Sequence, residues 1–197
     1  MFKKFFIVLV LLLVALIAFI AKQPNELNVS KSVVINAEPA VIFAHINDFH
    51  KWNAWSPWSK LDMDAKTTFE GSADGVGSIM KWSSNNKEVG EGSMEITESV
   101  ANELIKIDLK MTKPLAADNV TKFIFRQEGA QTILTWNMVG QKGFIGKIMG
   151  LFFNCEEILG EQFDKGLNNI KNLVELPVAP EGSADEAAVA GTEAVTK

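Results

Sequence analysis

Apolar and polar side chains alternate along a succession of short segments between residues 65 and 139. In Glu103–Met111, the most regular segment, every second residue from Ile105 onward is apolar, and those between are lysine or aspartate. A period of two turns the apolar side chains to one face of a strand, and the glycines and asparagines between segments are typical of turns. The pattern predicts an antiparallel sheet covered on one face only. We place its strands at residues 27–36, 65–71, 78–83, 92–98, 103–111, 119–127 and 131–139.

A long amphipathic helix is predicted at the end of the folded region. From Phe144 to Leu176 apolar residues recur at steps of three and four, and most charged residues lie off that stripe. The glycines near Phe144 predict a shorter lead-in helix before the main one. Gly160 and Gly166 lie inside the main helix, where each costs about 1 kcal/mol relative to alanine. We therefore expect a close approach to the sheet, or room for a ligand, at these two positions.

The N-terminal segment is an unbroken apolar run from Phe5 to Ala21, preceded by Lys3 and Lys4 and followed by Lys22. As a helix it spans about 25 Å, at the short end of a membrane crossing. A cleaved signal peptide begins in the same way, but this run is longer than a usual signal core and lacks a small-x-small cleavage site. Residues 1–22 are therefore predicted to form an uncleaved single-pass anchor. The basic start favours a cytoplasmic N-terminus, which in a bacterium places the domain on the periplasmic side of the inner membrane.

The rest of the chain divides into three parts. Residues 23–27 form a tether that reaches less than about 20 Å, so the domain is expected to lie close to the lipid surface. That proximity suits access to lipid and equally suits simple retention near partner proteins. Residues 28–176 form the folded domain. Residues 177–197 are small, acidic and free of aromatic residues, which predicts a disordered tail.

Composition excludes several classes of function. The net charge of −5 and the absence of a Lys/Arg cluster argue against a nucleic-acid partner. A single cysteine, Cys155, excludes an internal disulfide and a multi-cysteine metal site. His45 and His50 are five residues apart and do not share a helical face as an i, i+4 metal pair would. We therefore predict no metal and no cofactor, and the sequence indicates no oligomeric state.

Several motifs together carry a resemblance to a known family. Residues 33–62 run from a strand through Asn36-Ala37-Glu38-Pro39 to three tryptophans, Trp52, Trp55 and Trp58. This region, with the motifs at residues 75–77, 96–98 and 163–171, closely resembles the polyketide cyclase/dehydrase and lipid-transport branch of the SRPBCC superfamily. That superfamily includes START lipid-transfer domains and the birch-pollen-allergen type. The resemblance covers residues 29–175.

The resemblance implies an α+β helix-grip fold. A bent antiparallel sheet of about seven strands surrounds a long C-terminal helix, and here one transmembrane helix precedes it. An apolar cavity between sheet and helix is implied too, and members similar to this chain bind lipids, sterols, polyketides or other hydrophobic molecules. The branch has no fixed catalytic set to carry over. We therefore favour a membrane-anchored binding or carrier domain for a lipid-like or other hydrophobic small molecule over an enzyme.

Methionine and aromatic side chains on the predicted inner face suit an adaptable apolar pocket. A packed core is the alternative, because core and cavity residues share the same parity. The tryptophans could gate the pocket or touch the membrane interface, but packing of a helical lid onto the sheet is the favoured interpretation. The predicted cavity lining is Trp55, Trp58, Met80, Trp82, Met94, Ile96, Ile107, Leu109, Met111, Phe123, Phe125, Trp136, Met138, Phe163 and Leu167.

Two other functions stay open at this point. A cyclase- or dehydratase-like enzyme needs polar groups that converge inside the pocket, and the available candidates are His45, Asp48, His50, Arg126 and Asn137. An envelope interaction scaffold without a ligand needs only an exposed apolar patch. Cys155 falls on the apolar stripe of the last helix, which indicates an inert buried thiol.

Overall fold

The computed structural model describes residues 2–175 and confirms the helix-grip fold and the seven-stranded antiparallel sheet. The predicted tail lies outside the described residues. The helices are α1 Phe2–Ala21, α2 Pro39–Ile46, α3 Phe144–Phe152 and α4 Cys155–Glu175, with a 3₁₀ helix at Phe49–Ala54. The strands are β1 Glu26–Ile35, β2 Lys66–Gly71, β3 Ser78–Ser83, β4 Glu91–Val100, β5 Leu104–Lys113, β6 Ala117–Glu128 and β7 Gln131–Gln141.

The strands lie in the order β1-β7-β6-β5-β4-β3-β2, and each pairs antiparallel with its neighbours. Consecutive strands from β2 to β7 are therefore neighbours in the sheet. The pairing of β1 with β7 joins two strands that are distant in sequence. The period-two pattern located every strand to within about three residues, as expected when only the ends are ambiguous. The largest differences are at strand ends, where hydrogen bonding continues past the alternating residues.

The tryptophan region forms two short helices that are fixed by hydrogen bonds to backbone groups within the region. Pro39 begins α2, where the missing N–H breaks no hydrogen bond. The Asp48 carboxylate then accepts a hydrogen bond from the His50 backbone N–H at 2.9 Å and caps the 3₁₀ helix. The indole of Trp52 donates to the Ile46 carbonyl at 2.9 Å, and this bond ties the 3₁₀ helix to the end of α2.

Helix α4 lies mainly against β1 and crosses toward β7. Lys31 on β1 forms an ion pair with Asp164 at 2.8 Å. Further along, Lys171 donates to the Val34 carbonyl at 2.8 Å. The far strands β2 and β3 make few contacts with the helix, because the helix follows the β1 side of the sheet. We call the face of the sheet that is turned to α4 the inner face.

Helix α1 leads into the start of β1, and α3 follows directly from the end of β7. These two strand ends are paired, with Glu26 opposite Gln141. The tether is fixed to the same place, since the Lys142 N–H donates to the Asn25 carbonyl at 2.6 Å. We call this side of the domain the α1 end of the sheet. The ends of β3 and β5 and the starts of β2, β4 and β6 lie at that same end.

Candidate functional site

An aromatic cluster fills the inner face beneath α4. Trp136 of β7 stacks on Phe163 of α4, with ring centroids 4.2 Å apart. Phe123 of β6 lies 4.8 Å from Trp136, and Trp55 meets Phe123 edge-on at 5.9 Å. Trp58 contacts Trp136 at 5.9 Å from the side of the loop. Because these rings occupy the space between sheet and helix, this part of the inner face is a packed core.

The inner face is different at the α1 end of the sheet. Directly paired residues of antiparallel strands share a face, and one row across the sheet runs Phe69, Met80, Met94, Leu109 and Asn119. Of its apolar members, only Met94 is buried. Met80 and Leu109 are half-buried, and Phe69 is 38% exposed. Apolar side chains of the inner face are therefore exposed here, because α4 does not extend over them.

The next row toward the α1 end continues the same surface. Trp82 and Met111 lie two strands apart with Gly92 between them, and both side chains are half-buried. A Cβ at Gly92 would lie 2.7 Å from the Trp82 ring, so only glycine lets the indole lie against β4. The indole N–H donates to the Val89 carbonyl at 3.1 Å, which fixes the ring. We define the open apolar patch by its members, which are Phe69, Met80, Trp82, Leu109 and Met111.

One polar side chain interrupts the apolar row. Asn119 is 8% exposed, and its Oδ1 atom has no hydrogen-bond partner among the described residues. The residue opposite is Gly140, where a Cβ would lie 1.9 Å from that oxygen. The Asn119 side chain thus occupies the space that the side chain of any other residue at position 140 would need. A buried acceptor without a donor costs the fold roughly 1–3 kcal/mol, and the amide has to turn toward the patch before a ligand hydroxyl or amide N–H can satisfy it.

Sequence reasoning did not find Asn119 as a site residue. The available signal was its parity, because it shares the inward positions of β6 with Phe123 and Phe125. A polar residue at an inward position predicts either a partner or a site. The significance of Gly140 could not be found in the same way, since it depends on the register between β6 and β7.

The predicted lining residues fall into two groups, and their contact with a ligand stays a prediction. The first group is buried in the core: Trp55, Met94, Ile96, Ile107, Phe123, Phe125, Trp136, Met138, Phe163 and Leu167. The second group is half-buried: Trp58, Met80, Trp82, Leu109 and Met111. The second group coincides with the open apolar patch, except that Trp58 belongs to the loop and Phe69 was not predicted.

The polar candidates for catalysis lie in separate places, and one of them, His50, touches the patch. Arg126 is on the outer face, 69% exposed, and pairs with Glu128 at 2.8 Å. Asn137 donates to the Asn28 side chain at 3.0 Å and is also on the outer face. Asp48 and His50 contact each other at 3.0 Å next to the 3₁₀ helix, and the His50 ring stacks on Phe69 of the patch with the ring centroids 4.1 Å apart. Among the described residues, no group of three or more His, Cys, Asp or Glu side chains could hold a metal ion.

Two of these groups have shifted pKa values. Burial, with the nearby positive charge of Lys51, lowers the pKa of His45. Burial alone would raise the pKa of Asp48, but hydrogen bonds from the His50 backbone and ring, and the Lys51 charge, together lower it. Asp48 is therefore a carboxylate at neutral pH, as its capping role requires. The His45 Nδ1 atom is buried without a partner among the described residues, which favours the neutral ring.

A separate groove of about 330 Å³ lies where α3 joins α4. It is lined by Lys142, Glu156 and residues 150–155. The groove is at the α1 end of the domain, outside the space between sheet and α4. Cys155, which was expected to be buried, is only partly buried and lines this groove.

Comparison with known proteins identifies relatives of the whole domain. The family model described as "Polyketide cyclase / dehydrase and lipid transport" matches residues 26–175. No curated protein sequence matches this chain. Among solved structures, the Aha1 dimer from Colwellia psychrerythraea is 15% identical with a TM-score of 0.55, and the alignment covers 78% of this chain and 99% of that one.

Two further solved structures show the same arrangement. A protein from Mesorhizobium loti is 13% identical with a TM-score of 0.56, over 75% of this chain and 96% of that one. Ara h 8.0201 is 9% identical with a TM-score of 0.53, over 76% of this chain and 97% of that one. At these identities the three structures show that the fold is shared. Their alignments cover nearly the whole length of each of these proteins.

Proposed function

The chain belongs to the polyketide cyclase/dehydrase and lipid transport family, and from that premise we propose that it is a membrane-anchored binding domain for a lipid-like or other hydrophobic small molecule. The ligand lies on the open apolar patch at the α1 end of the inner face. The observation that carries this proposal is the combination of half-buried Met80, Trp82 and Leu109 with the unpaired acceptor of Asn119.

The chemistry of the patch supports an apolar ligand with one polar group. Removal of apolar surface from water contributes about 25 cal/mol per Å². Methionine side chains adapt to ligands of different shape, and a fixed indole supplies a flat contact surface. A hydroxyl or amide N–H of the ligand would satisfy Asn119 Oδ1. Such a site binds mainly through apolar contact and orients its ligand through a single hydrogen bond.

The loop beside the patch can enlarge the site. Leu61 is 37% exposed and Met63 is 91% exposed, so neither is held by the core. Trp58 meets Trp136 and Phe163 only through ring edges, at 5.9 and 6.5 Å. Movement of this loop would break the hydrogen bonds from Asn86 to the Leu61 carbonyl and from Ser84 to Asp62, and would uncover more of the inner face.

Helix α1 serves as the anchor in this proposal. It is the one helix among the described residues long and apolar enough to cross a membrane, and nearly all its side chains are exposed. With Lys3 and Lys4 on the cytoplasmic side, the domain lies on the periplasmic side of a bacterial inner membrane. The open apolar patch is at the α1 end of the sheet, so a ligand can reach it from the lipid with little passage through water.

Photo-crosslinking tests the binding site in the full chain. The protein is reconstituted in lipid nanodiscs with a long-chain fatty alcohol that carries a diazirine on its chain, and adducts are mapped by mass spectrometry. We expect adducts on residues of the patch, and we expect Met80→Glu to reduce them about tenfold, since a buried charge opposes apolar binding. Ile124→Glu is the control, because Ile124 is 42% exposed on the outer face.

Two results would count against the site. Adducts on α1 alone, with none on the patch, would contradict ligand binding there. An equal loss in Met80→Glu and Ile124→Glu would show that labelling does not depend on the patch. Thermal unfolding of both variants shows whether either has lost its fold, and native mass spectrometry of the purified wild type identifies any molecule that stays bound.

A further inference from the structure

Helix α3 carries large apolar side chains that the domain does not bury. None of its residues is buried. Phe144 is 51% exposed, Ile145 56% and Phe152 76%, and Phe153, which follows the helix, is 57% exposed. The segment contains one charged residue, Lys147, and no acidic residue. Gly146, Lys147 and Gly150 lie together on one side of the helix, and the large apolar side chains form a broad exposed surface that is unsuited to water and needs a cover.

The position of α3 indicates what that cover is. α3 packs against the last turns of α1, and the Lys147 ammonium donates to the Ala21 carbonyl at 3.1 Å. Ile20 is 5% exposed and is the only described residue of α1 that is buried. The exposed apolar surface of α3 is therefore continuous with that of α1 at the point where α1 meets the domain.

The charges at this junction fit a phospholipid headgroup region. Lys22 ends the apolar run and is exposed, and Lys147 lies on α3 beside it. Lysines at the end of a membrane helix reach the headgroups while their methylene chains stay in apolar surroundings. Short apolar helices with basic residues lie along the interface, with their apolar side chains among the upper acyl chains.

We propose that α3 is a second membrane contact, which lies in the outer interface of the bilayer that α1 crosses. This inference rests on the proposed anchoring of α1. It adds a fixed orientation to that proposal. With α1 across the bilayer and α3 along its surface, the domain is held at two points, and the α1 end of the sheet faces the lipid. The open apolar patch then opens toward the bilayer surface.

Site-directed spin labelling tests this placement in the full chain. The protein is reconstituted in vesicles of phosphatidylethanolamine and phosphatidylglycerol, in a Cys155→Ser background. Nitroxides are attached to Phe152→Cys on α3, to Leu12→Cys in the middle of α1 and to Val34→Cys on the outer face of β1. These side chains are 76%, 63% and 44% exposed, so each label replaces a side chain that the domain does not bury. Collision with oxygen reports lipid, and collision with a water-soluble nickel chelate reports water.

We expect the labels at positions 152 and 12 to collide preferentially with oxygen, and the label at position 34 with the nickel chelate. A label at 152 that is open to the chelate, with 12 in lipid, overturns the placement of α3 and leaves the anchor intact. A label at 152 shielded from both reagents also overturns it and indicates a protein cover, such as a second copy. A label at 12 in water overturns the anchor and this inference together.

Discussion

The indole of Trp136 and the phenyl ring of Phe163 are stacked with 6° between their planes and 4.2 Å between their centroids. Trp136 is in the middle of the inner face and Phe163 is in the first half of α4, so this contact joins the sheet to the helix. One turn further along α4, Gly166 lies under the same indole and beside Pro57. Helix, sheet and loop meet at this point, and no space is left there for a ligand.

Replacement of Phe163 by alanine is expected to destabilise the fold strongly. Phe163 is 1% exposed, and its loss leaves a cavity beside Trp136. Such substitutions cost about 3–5 kcal/mol. Denaturant unfolding of the full chain in detergent micelles measures the change. Phe152→Ala, at a residue that is 76% exposed, is the control and is expected to change stability by about 0.5 kcal/mol or less. Equal effects would contradict the packed core.

Gly166→Ala is expected to destabilise the domain although alanine favours helices. The added Cβ would lie 2.8 Å from Trp136 Cζ3 and 3.0 Å from Pro57 Cδ. Gly150 of α3 has no atom within 4 Å of such a Cβ, so Gly150→Ala is expected to stabilise its helix by up to about 1 kcal/mol. Thermal unfolding distinguishes the two. A stabilising Gly166→Ala would show that α4 does not lie this close to the sheet.

Asn119→Leu is expected to separate stability from binding. Leucine removes the unpaired acceptor, so the free energy of unfolding without ligand should stay equal or rise. The variant should lose affinity for a hydroxyl-bearing ligand by about tenfold and keep its affinity for a plain hydrocarbon of equal length. Competition with the diazirine fatty alcohol measures both affinities. An equal loss for both ligands would contradict a hydrogen bond from the ligand hydroxyl to Asn119 Oδ1.

The stability of the domain is expected to fall in mildly acidic solution because of His45. The folded state lowers the pKa of His45 through burial and the Lys51 charge, so the unfolded chain binds a proton more readily. The contribution of His45 to the free energy of unfolding is therefore fully present above the usual histidine pKa of about 6.5, and it decreases as the pH falls below that value. His45→Gln should reduce the difference in unfolding midpoint between about pH 7.5 and about pH 5.5. An unchanged difference would assign the effect to other groups.

The sequence predicts the sheet and its faces, because alternation of side chains is a local property of each strand. It cannot predict which part of the inner face is filled. Trp136 and Met80 have the same inward parity, but Trp136 lies under α4 and Met80 lies beyond it. That difference depends on where α4 crosses the sheet, and the crossing is set by buried contacts such as Trp136 with Phe163, which are far apart in the chain.

The same dependence on contacts between distant residues explains why Asn119 was not predicted as a site residue. Its polar side chain on an inward position was visible, but the space it occupies exists because Gly140 lies opposite. The lead-in helix was predicted from glycines near Phe144, and the structure has it as α3. Its exposure was not predicted, because a stripe of apolar residues has the same pattern whether it packs on a sheet or on lipid.

The hydrogen bond from the Lys142 N–H to the Asn25 carbonyl fixes the tether to the end of β7, so very little free chain separates α1 from the domain. A carrier on a long flexible stalk can swing across the periplasm and deliver its cargo to a distant surface. With α1 as the proposed anchor, a domain fastened this close to it would diffuse only in the plane of one bilayer. Any molecule that leaves the membrane through such a domain would need a second, mobile acceptor.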